Sequence, residues 1–420
     1  MMQVKDPRSP RIKKHSYREM LCVLICGFLA GKMNVHKICT WAQGHLPFLR
    51  KNLRLTGGIA SEATFSRMLA SIDEYELAEL FMTWVAEILR LKGIHVVIDG
   101  KALRAAAEKN ENKKPPYVLN ALDAATKLVI AQLPIMDKSC EKSRIPDLLS
   151  YLCDSSTDET FTIDAIGTDD EIMRKINENG CSFVFTLKKN NPAKYEEAID
   201  VFRDFIREED KKKRNPPSLG EERVDIYDDY QSMITLERNR DRYECRIYKV
   251  CYDMNLFSNI QTVCPYVVGV GYVRRIRIKI QKNKFGEDIT PPIRETIQKL
   301  LDTEHQPDDD VDASDQEIGI ALNRVMTVQE MAHTIRDHWR IENSLHYVLD
   351  MDMLEDKSTN RKGKNNLALI RKIVYNIVRL SMLEEGLSDS FTDALDTFND
   401  PEHRYRKICR YVFSGIPSLY

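Results

Sequence analysis

The spacing of hydrophobic positions divides the chain into stretches of different period. From Tyr17 to Leu91 apolar residues recur every three to four positions, in Tyr17 to Ala30, Asn34 to Gln43, Ser61 to Leu69 and Asp73 to Leu91. That spacing predicts short helices joined by brief turns, and no strand. At Ile94 the pattern changes. Ile94-His-Val-Val-Ile-Asp99 is a β-branched apolar run that ends on a carboxylate and is followed by Gly100. Such a run predicts a buried strand whose C-terminal end lies where open α/β sheets place their chemistry. A hairpin turn at Asp99-Gly100 is disfavoured, because Lys101 to Ala107 is alanine-rich and does not alternate. Tyr117 to Leu122 and Leu128 to Ile135 are strand-like, so the three runs predict an antiparallel start to a sheet. Ile145 to Cys153 then predicts a helix and Phe161 to Asp164 a strand. Thr168-Asp-Asp-Glu171 is a capping box opening a helix that ends near Asn179-Gly180, and Cys181 to Leu187 is the next strand.

Three strands, helix, strand, helix, strand is the order of a ribonuclease H-like mixed sheet, an α/β fold whose first and fourth strands are neighbours and here carry Asp99 and Asp164. Residues 192–325 break the rhythm. Lys211-Lys-Lys-Arg214-Asn-Pro-Pro217 reads as a charged linker, Ser232 to Val250 alternates, and Thr262 to Ile280 is strand-rich, so the segment is expected to be a β-rich insertion. Gly269-Val-Gly271 lacks a third glycine and a following helix, which excludes a dinucleotide loop. Thr327-Val-Gln-Glu330 is a second capping box, and the periodicity predicts one long helix from it through Glu342. A final amphipathic helix is expected over Leu367 to Leu383. The expected domains are a small all-helical unit over 1–90, a catalytic domain over 91–385 containing the insertion, and a tail over 386–420 that carries no signal.

Composition changes this picture little. A chain of 420 residues that is 43% hydrophobic and 30% charged is ordinary for a globular protein. The apolar run from Met20 to Gly31 is too short to span a bilayer, and the N-terminus lacks a signal pattern, so a cytoplasmic protein is expected. The ten cysteines include no Cys-x-x-Cys, which argues against a zinc ribbon or disulfide framework. Charge distribution says more than the net value of −2. Basic residues dominate 1–60, and Lys357 to Arg379 contains seven with no acid. The compensating acids gather in Asp302 to Glu317, a segment expected to be a loop. The basic N-terminal helices, with Thr64 and Arg67 near a helix start, suit a helix-turn-helix that reads DNA. They suit a helical packing unit with a solvated face equally well.

The chemistry gathers on three carboxylates. At a hundred degrees per residue, Met331, Ile335, Trp339, His346 and Leu349 share one helical face with Glu342 near its middle. An acid centred on an apolar stripe needs an arginine or a metal ion as partner. Asp164 has no capping task, since Thr168 is expected to supply the cap. Three oxygen donors without a His or Cys cluster suit Mg²⁺ or Mn²⁺. Two such ions about 4 Å apart support in-line attack on a phosphodiester.

Several stretches resemble the H-repeat-associated transposases, a bacterial insertion-sequence family of the DDE superfamily. They are Ile98-Asp99-Gly100-Lys101-Ala-Leu-Arg104, Lys138-Ser139 with Glu141 and Ile145-Pro146, Thr162-Ile-Asp164-Ala165, Leu187-Lys188-Lys189-Asn190, and His338-Trp339-Arg-Ile-Glu342-Asn-Ser-Leu-His346 with Leu349-Asp350 and Glu355-Asp356. Tyr17 to Gly31 and Ala63 to Arg67 extend the likeness to the N-terminus. Cys140 stands where the family usually has Asn, and Arg240-Asp241 replaces a His-Gly pair. The resemblance implies metal-dependent cleavage and strand transfer of double-stranded DNA at insertion-sequence ends. Asp99, Asp164 and Glu342 would be the catalytic, metal-holding triad, in a nucleoid-associated enzyme that acts as a homodimer. Lys101, Arg104, Arg361, Lys362, Lys364, Arg371 and Lys372 are the expected DNA contacts. A ribonuclease H-like nuclease without strand transfer, and a DNA-binding protein that no longer cleaves, remain alternatives.

Overall fold

A computed structural model of the chain describes residues 6, 8, 13–89, 94–104, 115–153, 158–164, 169–187, 192–209, 216–302, 312–358, 362–387 and 390–411. Five helices come first: α1 (Tyr17–Leu29), α2 (Val35–Gly44), α3 (Leu46–Leu49), α4 (Glu62–Ser71) and α5 (Glu74–Leu89). Strands β1 (His95–Ala102), β2 (Tyr117–Asp123) and β3 (Val129–Ile135) follow, then α6 (Glu141–Leu152), β4 (Thr160–Ile163), α7 (Asp170–Glu178), β5 (Ser182–Leu187) and α8 (Pro192–Glu209). Next are β6 (Glu222–Ile226), β7 (Tyr230–Asn239), β8 (Arg242–Cys251), α9 (Ser258–Val263), β9 (Gly269–Lys279), α10 (Ile293–Asp302), β10 (Ala313–Leu322) and α11 (Val328–His338). A π-helix (Glu342–His346) leads into α12 (Tyr347–Met351), α13 (Lys364–Glu385), α14 (Phe391–Asp396) and α15 (Pro401–Tyr411). The protein is a mixed α/β molecule made of two compact units, residues 1–152 with 338–420, and residues 153–337.

In the first unit, side chains just outside the helices satisfy their first N–H groups. Asn34 Oδ1 accepts from the Lys37 amide at 2.8 Å, and Asp73 Oδ1 accepts from the amides of Tyr75 and Glu76 at 2.9 and 3.0 Å. Helix α1 is apolar on nearly every side and accordingly buried, packing on α13. Helix α13 is itself buried from Asn366 to Met382 and also meets α4, α5 and β3. Its Asn376 takes the Val129 N–H at 2.9 Å and donates to the Val129 carbonyl at 2.7 Å, so strand β3 is bonded to the helix through one amide. The strand order is β3-β2-β1, all antiparallel, with Asp99 opposite Asn120 and Asn120 opposite Gln132. Strand β1 does not stop at Asp99. It runs three residues further, pairing Ala102 with Tyr117. Gly100 is therefore a strand residue, and its lack of a side chain has a steric cause. A Cβ there would lie 2.3 Å from the Tyr117 ring and 2.7 Å from Glu141 Oε1. The C-terminal tail, silent in the sequence, forms α14 and α15. They are anchored where buried Arg404 stacks on Trp41 at 5.2 Å and donates to the Phe398 carbonyl at 2.7 Å.

In the second unit β4 and β5 are parallel, β10 returns antiparallel to β5, and β9, β8, β7 and β6 follow as an antiparallel meander. The acidic segment expected to be a loop is therefore partly strand, since residues 313–317 begin β10. Arginines make this possible: Asp315 bonds Arg274 at 2.8 Å and Glu317 bonds Arg203 at 2.6 Å. Asp169, not Thr168, caps α7 by accepting from the Glu171 amide at 3.1 Å, and Thr168 lies outside the described residues. The second capping box forms as expected, with Glu330 Oε2 accepting from the Thr327 amide at 2.7 Å. The Arg240-Asp241 pair is the two-residue turn between β7 and β8, and Arg240 has a φ of 54°. No helix among the described residues is long and apolar enough to cross a membrane.

Gly363 caps α13 with a φ of 68°, and a Cβ there would lie 2.4 Å from the Leu69 carbonyl carbon. Gly363→Ala is expected to lower stability by about 2 kcal/mol or more, combining a left-handed backbone with a backbone clash. Urea unfolding of the two proteins side by side measures it, and an equal midpoint and slope would refute it.

Candidate active site

Asp99 opens a polar row across otherwise apolar strands. Opposite it Asn120 is fully buried with no hydrogen-bond partner for its amide among the described residues, and next in line is buried Gln132, whose Nε2 donates to the Asn365 carbonyl at 3.4 Å. Buried amides of this kind are expensive unless a task retains them. Asp99 itself is half-buried, and its Oδ1 accepts from the Gly100 amide at 2.8 Å. Sequence reasoning missed Asn120 and Gln132. Their signal was a polar residue inside an apolar run on each of two neighbouring strands.

The Glu342 segment differs from the single long helix that periodicity predicts. Helix α11 ends at His338, and Glu342 to His346 form a π-helix. A π-turn takes an extra residue, so the side chains beyond it are rotated away from a 3.6-residue extrapolation. The helix is already interrupted at Trp339, ahead of the π-turn; Trp339, expected on the buried stripe, is 44% exposed, and Glu342 is exposed as well. The residues facing the core are Ile341, Ser344, Leu345, Val348 and Leu349. The Ser344 carbonyl is met from α13 instead, with the Tyr375 hydroxyl at 3.0 Å and Arg379 Nη2 at 3.5 Å. Glu342 therefore has no burial cost for an ion pair to offset. Its carboxylate stands in water, one turn from a residue that touches Asp99.

That residue is His346, whose Nδ1 lies 3.5 Å from Asp99 Oδ2. Burial and the ammonium groups of Lys101 and Lys372 push its pKa down to about 3, so the ring is neutral and the contact is not an ion pair. Two residues along β1, Lys101 is buried and its Nζ lies 2.5 Å from Asp350, 3.7 Å from Glu355 and 3.9 Å from Asp356. Glu355 is buried and meets Lys372 Nζ at 3.6 Å from its other oxygen. Burial pushes the Glu355 carboxyl up, but Lys372, Lys101 and Arg371 together hold it below its ordinary value. Burial lowers Lys372 to about 8, against the pull of Glu355, and raises Asp350 despite its bond to Lys101.

Three expected DNA contacts are thereby corrected. Lys101 is enclosed by carboxylates. Lys372 is fully buried against Glu355, and Arg371 is buried over the Phe28 ring at 5.2 Å with its Nη2 on the Met33 carbonyl at 3.2 Å. Arg371 and Lys372 fall on the buried sides of α13, which a count of basic residues cannot separate from its solvent side. Arg104 and Lys362 are exposed, Lys364 is partly exposed, and Arg361 lies outside the described residues. In the second unit, Asp164 directly follows β4 and is half-buried. Among the described residues, no three Asp, Glu, His or Cys side chains converge as a metal-holding group. The donors present are hard carboxylate oxygens, with one Asp99 oxygen oriented by a backbone N–H and the other beside a neutral imidazole. That chemistry fits a divalent metal ion that prefers oxygen ligands.

Known proteins bear on this geometry. The family model for the transposase DDE domain matches residues 90–377, and the DDE_Tnp_1-associated model matches residues 1–85. Putative transposase YncI of Escherichia coli O157:H7 is 25% identical over 382 residues, covering 90% of this chain and 85% of that protein. The H repeat-associated putative transposase YhhI of Escherichia coli K12 is 25% identical over 389 residues, covering 89% and 88%. A piggyBac transposase synaptic complex with hairpin DNA superposes with a TM-score of only 0.36 and 11% identity over 98% of this chain and 76% of its own, too distant to inform the fold.

Removing the Glu355 charge would leave Lys372 and Lys101 buried and facing one another. Glu355→Gln is expected to cost about 3 to 5 kcal/mol at neutral pH. A carboxyl held low contributes stability above its unfolded pKa and loses it as the pH falls through the folded value. The gap between variant and wild type should therefore narrow on acidification, which urea titrations at a series of pH values measure. A gap that stayed constant with pH would show that the Glu355 charge is not what stabilises the site.

Proposed function

The chain belongs to the transposase DDE-domain family, and from that premise we propose that it cuts and joins double-stranded DNA at the ends of an insertion sequence, with Asp99, Asp164 and Glu342 as its catalytic triad. The carrying observation is the family match over residues 90–377, a stretch within which all three acids lie. Supporting Glu342 is the state of the acids downstream. Asp350, Glu355 and Asp356 are drawn to Lys101, and Asp352 accepts from Thr392 Oγ1 at 3.1 Å, whereas Glu342 is exposed. Supporting a ribonuclease H-like sheet are the antiparallel β3-β2-β1 and, in the second unit, the parallel β4-β5.

Members of this family work with divalent metal. Two Mg²⁺ or Mn²⁺ ions held by the three carboxylates would activate the attacking oxygen and stabilise the leaving one. The chain's own contribution is orientation. The Gly100 amide and the neutral His346 ring hold Asp99 by both oxygens, and the two clamped lysines leave the Asp99 strand no freedom to slide past the π-helix. DNA would be held by exposed Arg104 and Lys362 and partly exposed Lys364, together with Arg361, which lies outside the described residues. The helices of residues 17–89 contribute to recognition of the element's ends, with Arg67 exposed on α4 as expected of a base- or phosphate-reading side chain. The working form is a homodimer on DNA.

Asp99→Asn, Asp164→Asn and Glu342→Gln are each expected to reduce Mg²⁺-dependent nicking of an end-containing duplex at least about 100-fold while leaving DNA affinity within a few-fold, because each deletes a metal ligand and no phosphate contact. Nicking assays paired with gel shifts measure both. Cleavage without joining of the product strands would favour a nuclease, and binding without cleavage by the wild type would favour a DNA-binding protein. Normal cleavage by Glu342→Gln would move the third acid elsewhere.

Neutralising Lys362 and Lys364 together is expected to weaken duplex binding and to lower the slope of log K against log salt by about 1 to 2. Anisotropy titrations at several salt concentrations measure it. An unchanged slope would remove these residues from the DNA contacts.

A further inference from the structure

The meander of the second unit has one face that changes character along a line. Strand by strand, Ile318 gives way to Gln316, Val273 to Arg275, Tyr248 to Arg246 and Met233 to Thr235, and these positions lie side by side in the ladder. The apolar half is covered by α11, whose Val328, Met331 and Ala332 join Met233, Tyr248, Val273 and Ile320 in one core. The opposite face of the same strands packs Leu236, Cys245, Ile276 and Ile278 against Ile297, Leu300 and Leu301, the last three from α10. The polar half-face lies past this apolar core. Its strand positions and Arg336, near the C-terminal end of α11, carry five guanidinium groups and Lys279 against Glu222, Glu237 and Glu244.

A face built only for stability would alternate sign across the ladder, since like charges directly opposite one another destabilise a sheet. Here Arg246 is opposite Arg275, and Arg242 is opposite Lys279. The acids present serve to hold the guanidinium groups in place rather than to neutralise them. Buried Glu244 receives Arg246, Arg242 at 2.7 Å and Arg277 at 3.3 Å, while Glu237 receives Arg246 and Arg336, each at 2.8 Å. Arg275 donates to Gln316 at 2.5 Å. Burial together with the neighbouring Arg277 lowers the Arg275 pKa from its ordinary value, as crowding among cations requires. Fixed, partly exposed guanidinium groups with excess positive charge match a row of phosphates, for which Arg supplies a planar pair of donors.

We propose that the half-face formed by Arg242, Arg246, Arg275, Arg277 and Arg336 is a binding surface for the phosphate backbone of duplex DNA, giving the β-rich insertion a role in holding the substrate. This rests on the DNA transposase function above. It is independent of the basic residues around Lys362, which belong to the other unit.

The test is fluorescence anisotropy of the full chain with a labelled duplex of arbitrary sequence, in chelator, across a range of potassium chloride. Arg275→Gln/Arg277→Gln is expected to bind about tenfold more weakly near physiological salt and to lose about 1 to 2 from the salt slope. Arg275→Lys/Arg277→Lys should recover most of the affinity. Lys282→Gln/Lys284→Gln removes equal charge from the exposed loop after β9 and should bind as the wild type does. If the first variant unfolds, Arg242→Gln/Arg277→Gln, on the rim of the cluster, is read in its place. Wild-type affinity and slope in the arginine variants, or an equal loss in the loop variant, would overturn the proposal. The outcomes separate it from the function it rests on. A wild type that cleaves while arginine variants bind normally refutes this surface alone, whereas a wild type that does not bind duplex refutes both.

Discussion

Glu355 is the charge on which the first unit turns. It is buried between Lys101 of β1 and Lys372 of α13, with the segment that follows the π-helix supplying the carboxylate itself. Three elements distant in sequence are thus held by one anion. A buried ion group of this kind contributes little net stability compared with an apolar core, but it tolerates only one arrangement, because displacing any member strands a charge in a medium that cannot solvate it. The acids proposed as catalytic need that property. Asp99 is two residues from Lys101 and Glu342 lies upstream of Glu355 on the same stretch of chain, so whatever fixes the Lys101–Glu355 contact fixes the strand against the helix that bear them.

Much of this was readable from the sequence where a single period or cap decides the outcome. The first three strands, the β4–α7–β5 succession and the Thr327–Glu330 capping box follow from alternation and turn chemistry that act within a few residues. Errors came where the deciding interaction is remote. An extrapolated 3.6-residue period carried Glu342 onto the buried stripe because nothing local announces the interruption at Trp339 or the π-turn after it, whose Ser344 carbonyl is met by Tyr375 and Arg379 of another helix. Arg371 and Lys372 look like surface cations until Met33 and Glu355, distant in sequence, are brought against them. The acids of β10 read as a loop because Arg274 and Arg203, which make a strand tolerable, are supplied by other elements. The tail is silent because Arg404, which reads as a surface cation, is held over Trp41, distant in sequence.

The second unit shows how one sheet serves two demands. Its strands must be apolar on both faces where helices α10 and α11 lie and polar where they do not, and the change occurs at the same level on four neighbouring strands. A sheet with one face partly uncovered needs polar side chains there, but it does not need arginine opposite arginine. The like-charge rungs are therefore better explained by an external anion than by the fold.

Register between β1 and the π-helix segment follows from simple spacing. Asp99 and Lys101 are on the same side of the strand, about 6.6 Å apart along it. His346 and Asp350 are four residues apart in a helical segment, a rise of about 6 Å. The near match lets Asp99 meet His346 while Lys101 meets Asp350, two rungs that lock the strand and helix in step. The upper rung is neutral on the histidine side and the lower one carries the charge. The charged rung lies two residues along the strand from Asp99 and holds the register through groups other than the Asp99 carboxylate.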